Sequence, residues 1–249
     1  MKILYLLLSI IIFVLVATGC AVVGEYNHSS LAVSLFDPLR LDDFLAEGSE
    51  SAGVKKEALA TQLNTPWSFS IEVSAPGEKS HTVDSCRNYF AVDDQAEPVR
   101  PSEYPAYRVV GISCLAVQQA LSMQASDKSF VRSITFDKTL ADKFPDEVAL
   151  VISSEEKKRL NENPDIRVWS DVEEIISVDQ LDTDVYHYKT EGVNHNIKRL
   201  ALGDVNDDGL EDLLIRDDVT LDEGSYSASR LFVLTRRSAQ GTLEVLNSF

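Results

Sequence analysis

Apolar and polar positions change rhythm along this chain, and each rhythm predicts an element. Residues 3–17 are apolar except for Ser9, a run of 15 that follows Met1 and Lys2. From Trp67 to Val73 the apolar residues fall at every second position, the mark of a strand with one buried face, and Pro76-Gly77 ends it. Between Ser102 and Ala125, Tyr107, Val110, Cys114, Val117 and Leu121 recur at steps of three and four, so they predict one stripe of a helix. Ser102 is its candidate cap, and Pro105 is tolerated in the first turn. Glu147 to Ser153 encloses Val-Ala-Leu-Val-Ile, a continuous run of the kind a buried strand shows. Ser154 predicts the start of a short helix through Asn161 before Pro164, and Ile166 to Trp169 predicts another strand. After Val185, four apolar or alternating segments near 185–190, 197–203, 211–216 and 230–235, with a weaker fifth at 243–246, are separated by Gly, Asn and Asp clusters. That spacing predicts an antiparallel sheet.

Together these elements predict an α+β fold: an amino-terminal α+β portion over 51–170 and a β-rich portion over 171–249, preceded by a signal peptide at 1–19 and a tether at 20–50. No segment has a visible second copy, so a repeat array is not expected.

The leading apolar run is too short to span a bilayer comfortably, which takes about 20 residues, and it ends in small residues. It therefore predicts a signal peptide, with a short uncleaved anchor as the alternative. Ala17-Thr18-Gly19-Cys20 resembles the bacterial lipobox, in which the cysteine thiol is diacylated and the chain is cut before it. The first position of that box usually holds Leu or Val, and Ala17 departs from it; an ordinary signal peptide with an incidental cysteine is the other reading. The resemblance implies membrane attachment through Cys20, since more than one acyl chain is needed for stable anchoring. Ala21 stands where such lipoproteins carry Asp for inner-membrane retention, which implies the outer membrane, facing the periplasm.

An exported chain changes the meaning of the remaining cysteines. Cys86 and Cys114 form an even pair in a compartment where disulfides persist, so a bridge pinning the helix is expected, with two separate buried thiols as the alternative.

Composition narrows the partners. The chain has 249 residues, 44% of them apolar, and 23 basic against 40 acidic groups, a net charge of −17. Nucleic acid is not expected, because phosphate contacts need clustered Lys and Arg. Divalent cations and a basic protein partner fit better. The acid concentrates after Asp171, with 17 acids against 7 bases.

Within that segment, Asp204-Val-Asn206-Asp-Asp208-Gly209-Leu210-Glu-Asp212 places side-chain oxygens at loop positions 1, 3, 5 and 9, with glycine at 6. A hard cation takes six to eight oxygens at about 2.3 to 2.6 Å, and residues this close in sequence supply them only if the chain curls around a point. Asp204, Asn206 and Asp208 would project inward, Gly209 permits the reversal, the Leu210 carbonyl turns in, and Asp212 closes the shell. With this composition the pattern arises by chance roughly once in a thousand such chains. A solvated acidic hairpin turn is the plainer alternative. Position 12 is Ile215, where an EF-hand needs Glu, and the flanks read as strands instead of helices.

Leu200-Ala-Leu-Gly-Asp-Val-Asn-Asp-Asp-Gly-Leu-Glu-Asp-Leu-Leu-Ile215 resembles the calcium loop of an FG-GAP repeat, the unit of integrin alpha-chain propellers. The resemblance covers about 16 residues and implies a calcium joining two adjacent strands, held by Asp204, Asn206, Asp208, the backbone of Leu210, and Asp212. Only one such unit is visible, so the propeller itself is not implied. The affinity expected for this donor set is about 10⁻⁴ to 10⁻³ M.

Other groups weigh less. His187 and His195 lack a third zinc ligand at useful spacing. Asp179, Asp182 and Asp184 read as a solvated linker, and Asp217, Asp218, Asp222 and Glu223 as an extension of the negative face around the ion or as a charged turn. The function expected is a non-catalytic envelope lipoprotein with one structural calcium; the alternative is an envelope hydrolase, or an inhibitor of one, with an acidic groove.

Overall fold

The computed structural model describes residues 30–41, 44–45 and 54–249. The expected signal peptide, Cys20 and most of the span expected to be a tether lie outside the described residues. The chain is α+β, as the patterning predicts, and a large antiparallel sheet forms its middle layer.

That sheet contains β5 (Ser177–Asp182), β6 (Val185–Lys189), β7 (Val193–Gly203), β8 (Asp212–Leu221), β9 (Ser227–Thr235) and β10 (Glu244–Ser248), in the order β10-β9-β8-β7-β6-β5. A seventh strand, β1 (Ser34–Leu35), pairs with β7 at Leu202 and Ala201, on the side that β6 occupies lower down. Consecutive strands pair in hairpins, so each apolar segment finds its partner through a short turn. Both faces are covered, and this explains why the central strands read as continuous apolar runs. Leu214, Leu231 and Val233 enter one core, while Leu213, Ile215, Phe232 and Leu234 enter the other.

On the first face lies α3 (Tyr104–Ser122), with Pro105 in its first turn. Val110, Cys114 and Val117 of the predicted stripe are buried, and Tyr107 and Leu121 are half-buried. Ser102 is not the cap; it sits in a 3-10 turn (Pro101–Glu103), so the helix grows from that turn without a side-chain cap. Beside α3 are α1 (Lys56–Gln62), α2 (Cys86–Tyr89) and a small sheet of β2 (Ile71–Ser74), β3 (His81–Val83) and β4 (Glu97–Pro98). Cys86 and Cys114 are bridged, with Cα atoms 5.4 Å apart, joining α2 to α3. Strand β2 begins at Ile71, later than predicted, because Trp67 makes only a single bridge, to Leu45.

The second face is covered by residues 131–175, and here the predicted strands are corrected. Glu147 to Ser153 is not a strand: Asp146–Val148 is a 3-10 turn and irregular chain follows. Part of its backbone is satisfied by side chains. The Arg230 guanidinium donates to the carbonyls of Glu147, Val148 and Ala149, and the Leu150 N–H donates to Glu173 at 3.0 Å. Ile166 to Trp169 is likewise no strand; Val168 makes one bridge, to Pro145, before a 3-10 turn at Trp169–Asp171. The helix α4 (Ser154–Asn161) forms as expected, although Ser153 caps it, its hydroxyl accepting the Glu156 N–H. Asp179 and Asp182 belong to the edge strand β5 instead of a linker, and Asp184, at φ +63°, pairs with Arg199 at 2.6 Å.

Each core draws on residues from both sides of position 170. The helix-side core combines Leu39 to Met123 with strand residues 200–233, and the opposite core combines Val131 to Trp169 with residues 175–243.

Candidate metal centre

The acidic loop joins β7 to β8, and Gly203 opposite Asp212 is the last pair before it. The flanks are therefore strands. Asp207 and Gly209 both adopt positive φ, +59° and +78°, which reverses the chain tightly between them.

The short side chains organise the turn by bonding their own backbone. Asp204 Oδ1 accepts the Asn206 N–H at 3.1 Å and its Oδ2 accepts the Gly209 N–H at 2.7 Å. Asn206 Oδ1 accepts the Asp208 N–H at 3.3 Å, and Asp208 Oδ1 accepts the Leu210 N–H at 2.8 Å. From across the hairpin, Asp212 Oδ2 accepts the Val205 N–H at 3.0 Å. Each of these oxygens has a second lone-pair direction left over. Asp204 and Asp212 are buried, while Asn206, Asp207 and Asp208 are exposed.

Asp212 is the unusual member. Its carboxylate is buried, and Oδ1 makes no hydrogen bond among the described residues. The neighbouring Thr235 hydroxyl lies close enough to favour the charged form, yet it forms no hydrogen bond of good geometry either. Burial raises the Asp212 pKa to about 6; the Val205 and Thr235 contacts oppose the rise, and the charges of Asp208 and Asp204 add to it. A negative group held in this way is short of a positive partner.

A strap holds the loop in place. After α3, Gln124 pairs with Asp204 through two backbone bonds, at 2.7 and 2.9 Å. Asp127 and Lys128 then donate their N–H groups to the Gly209 carbonyl, and the Glu211 N–H donates to Lys128. This pairing leaves the Leu210 carbonyl outside it. Gly203 is needed where the strap crosses: a Cβ there would lie 2.8 Å from the Met123 Cβ. Lys56 fixes the other end by donating to the carbonyls of Leu121 and Met123. Glu211 turns away from the loop and is gripped by the Arg132 guanidinium through both its oxygens.

Thus Asp204, Asn206, Asp208, Leu210 and Asp212 share one hairpin loop. Among the described residues, no group of three or more His, Cys, Asp or Glu side chains stands close enough to hold a metal without movement. Of the acids expected to extend the loop's negative face, three are paired elsewhere. Asp217 is buried against His195 and Arg230, Asp218 binds Arg216 and Lys198, and Asp222 binds Asn194 and Lys189. His187 and His195 do not converge: His187 pairs with Asn196, while His195 lies between other groups.

Sequence reasoning missed the buried constellation around His195. Its Nδ1 lies 2.9 Å from Asp217 Oδ2 and its Nε2 lies 3.1 Å from Glu173 Oε2, which also accepts the Trp169 indole N–H at 2.6 Å. Burial alone would lower the His195 pKa, but Asp217 and Glu173 overcome it and hold it up at about 9. A signal was present. Leu213, Ile215, Asp217 and Val219 run at every second position, so an acid interrupts a buried phase. A buried acid needs a partner, and the opposing strand supplies a histidine.

No family model matches the chain, and no curated protein and no solved structure matches it. Among the described residues, no helix is long and apolar enough to cross a membrane.

Proposed function

We propose that this chain is an envelope lipoprotein anchored through Cys20, in which Asp204, Asn206, Asp208, the Leu210 carbonyl and Asp212 hold one calcium ion that clips β7 to β8. It acts as a binding or structural component. The observation that carries the reading is the buried Asp212 carboxylate, with one oxygen unpartnered and two further aspartates beside it. All five donors are hard oxygens, which suits calcium and not a softer metal. Calcium would draw Asp204, Asp208 and Asp212 together and cancel their repulsion. The FG-GAP resemblance supports the same assignment, and the strap from Gln124 to Lys128 supports a static clip over a switch.

Melting of the chain in calcium and in chelator tests it. At a calcium concentration ten times the dissociation constant, the folded state gains about 1.4 kcal/mol, a rise in Tm of roughly 3 to 6 °C for a chain of this size. Asp208→Ala is expected to abolish the rise. Equal shifts in both proteins, or none in the parent, would refute the site. The anchor is read separately: Cys20→Ser should move the protein from the membrane fraction to the soluble one.

A further inference from the structure

We propose that the cleft between the first turn of α3 and the β8–β9 hairpin binds a sugar ring carrying one carboxylate, with Arg108 as the carboxylate's partner. The cleft has a volume of about 720 Å³ and is walled by Tyr104, Arg108 and Tyr226, with Arg216, Asp218 and Ser229 among the residues beneath. A second depression of about 330 Å³, bordered by Tyr89 and Tyr107, meets it at Tyr104 and Arg108. Both volumes fall in the range of small-ligand sites, about 300 to 1,000 Å³. The site stands at the end of β8 remote from the calcium loop and does not depend on it.

Three features set the ligand's chemistry. The first is aromatic: Tyr104 and Tyr226 are 39% and 41% exposed, and the rings of Tyr89 and Tyr107 lie 5.3 Å apart. Exposed ring faces carry partial negative charge and accept the C–H face of a pyranose, while their hydroxyls, with those of Ser225 and Ser227, suit its alcohols. The second is an unspent cation. Arg216 is fully engaged, donating to Asp218 at 2.7 Å, Ser113 at 2.9 Å and Ser229 at 3.2 Å. Arg108 is exposed and makes no ion pair among the described residues, and its charge acts on the Tyr89 hydroxyl. In a chain of net charge −17, a guanidinium left unpaired where two depressions meet is a fork open to a carboxylate. The third is negative: Asp94 and Glu97 line the smaller depression. They would repel a phosphate or a polyanion, so one carboxylate on an otherwise neutral ring fits best.

Such a ring has two sources, a muramic acid or a uronic acid, and titration calorimetry on the full-length chain in detergent separates them. The probes are N-acetylglucosaminyl-N-acetylmuramic acid, the aldobiouronic acid glucuronosyl-xylose and, as the neutral control, N,N′-diacetylchitobiose. One acidic disaccharide is expected to bind at least tenfold more tightly than the control, and the preferred one names the source. Arg108→Gln should bring the acid down to the level of the control without changing the control. Tyr226→Ala should weaken every disaccharide that binds. Both positions are exposed, and an unchanged Tm verifies folding. Failure of both acids to bind, equal binding of the control, or an unchanged acid affinity in Arg108→Gln overturns the proposal. Loss of acid binding in chelator would overturn the site's independence from calcium, whereas persistence supports it even if the calcium assignment itself fails.

Discussion

Arg230 shows how much structure one side chain determines here. Its guanidinium donates to the carbonyls of three consecutive residues, Glu147, Val148 and Ala149, and to the Asp217 carboxylate at 2.6 Å. Five donors in a rigid plane suit this task, since peptide carbonyls off the sheet otherwise need a strand partner. Removing the cation would leave the His195 ring to face the buried Asp217 and Glu173 carboxylates without the guanidinium's help, and would take the donor from the three carbonyls. Arg230→Met is therefore expected to destabilise the chain by about 3 kcal/mol in urea denaturation, at the lower end for a broken buried pair because the side chain is 20% exposed. Arg230→Lys should recover less than half of that, because one ammonium cannot span the four acceptors. A loss below about 0.5 kcal/mol for Arg230→Met would mean that the carbonyls find other donors.

Among the elements, those whose partner is near in sequence were legible. Strands β6 to β10 follow one another in hairpins, and Gly, Asn and Asp mark the turns between them. The helix α3 was legible from its 3.6-residue stripe, and the cysteine pair from the even count left once Cys20 is set aside in a chain expected to be exported. What failed did so for a common reason. The Val-Ala-Leu-Val-Ile run is as apolar as a strand, but its Val148 and Ala149 carbonyls and its Leu150 N–H bond the side chains of Arg230 and Glu173, 23 or more residues away, which no local pattern records. Strand β5 was hidden by its exposed, acidic edge, where negative charge discourages pairing with other chains. The acidic loop was legible because its oxygen-bearing side chains lie within nine residues of one another, whereas the His195 constellation joins residues 173, 195 and 217. The bridge gives the element scale its own test. The chain-entropy argument for a crosslink of sequence separation 28 gives about 3.5 kcal/mol. Reduction, or Cys86→Ala with Cys114→Ala, should lower the unfolding free energy by about that much, and α2 should lose hydrogen-exchange protection before the central sheet does. Uniform loss of protection would show that the bridge supports the whole fold instead of one corner.

At the scale of the molecule, the sheet is shared by two cores, and the layer formed by residues 131–175 rests on it through Glu173, His195, Asp217 and Arg230 as well as through Trp169, Phe144 and Ile175. The charges facing His195 are Glu173 and Asp217, with Arg230 bound to the latter, so the protonated ring balances two carboxylates against one guanidinium. The direction of the pH dependence follows. A histidine of pKa about 9 in the folded chain and about 6.5 in the unfolded one binds its proton more tightly when folded. Its contribution is fully present below about pH 6.5 and is lost as pH rises through about 9. The size is on the order of 3 kcal/mol, a large share of the 5 to 15 kcal/mol typical of a folded domain. Urea midpoints measured from pH 6 to 10 should therefore fall across that window, beyond any general decline from the growing negative charge. His195→Gln is expected to be less stable at pH 6 and to flatten the profile, with the two proteins converging as pH approaches 10. Parallel profiles would mean that His195 is neutral in the fold, and the cluster would then have to be held by Arg230 alone.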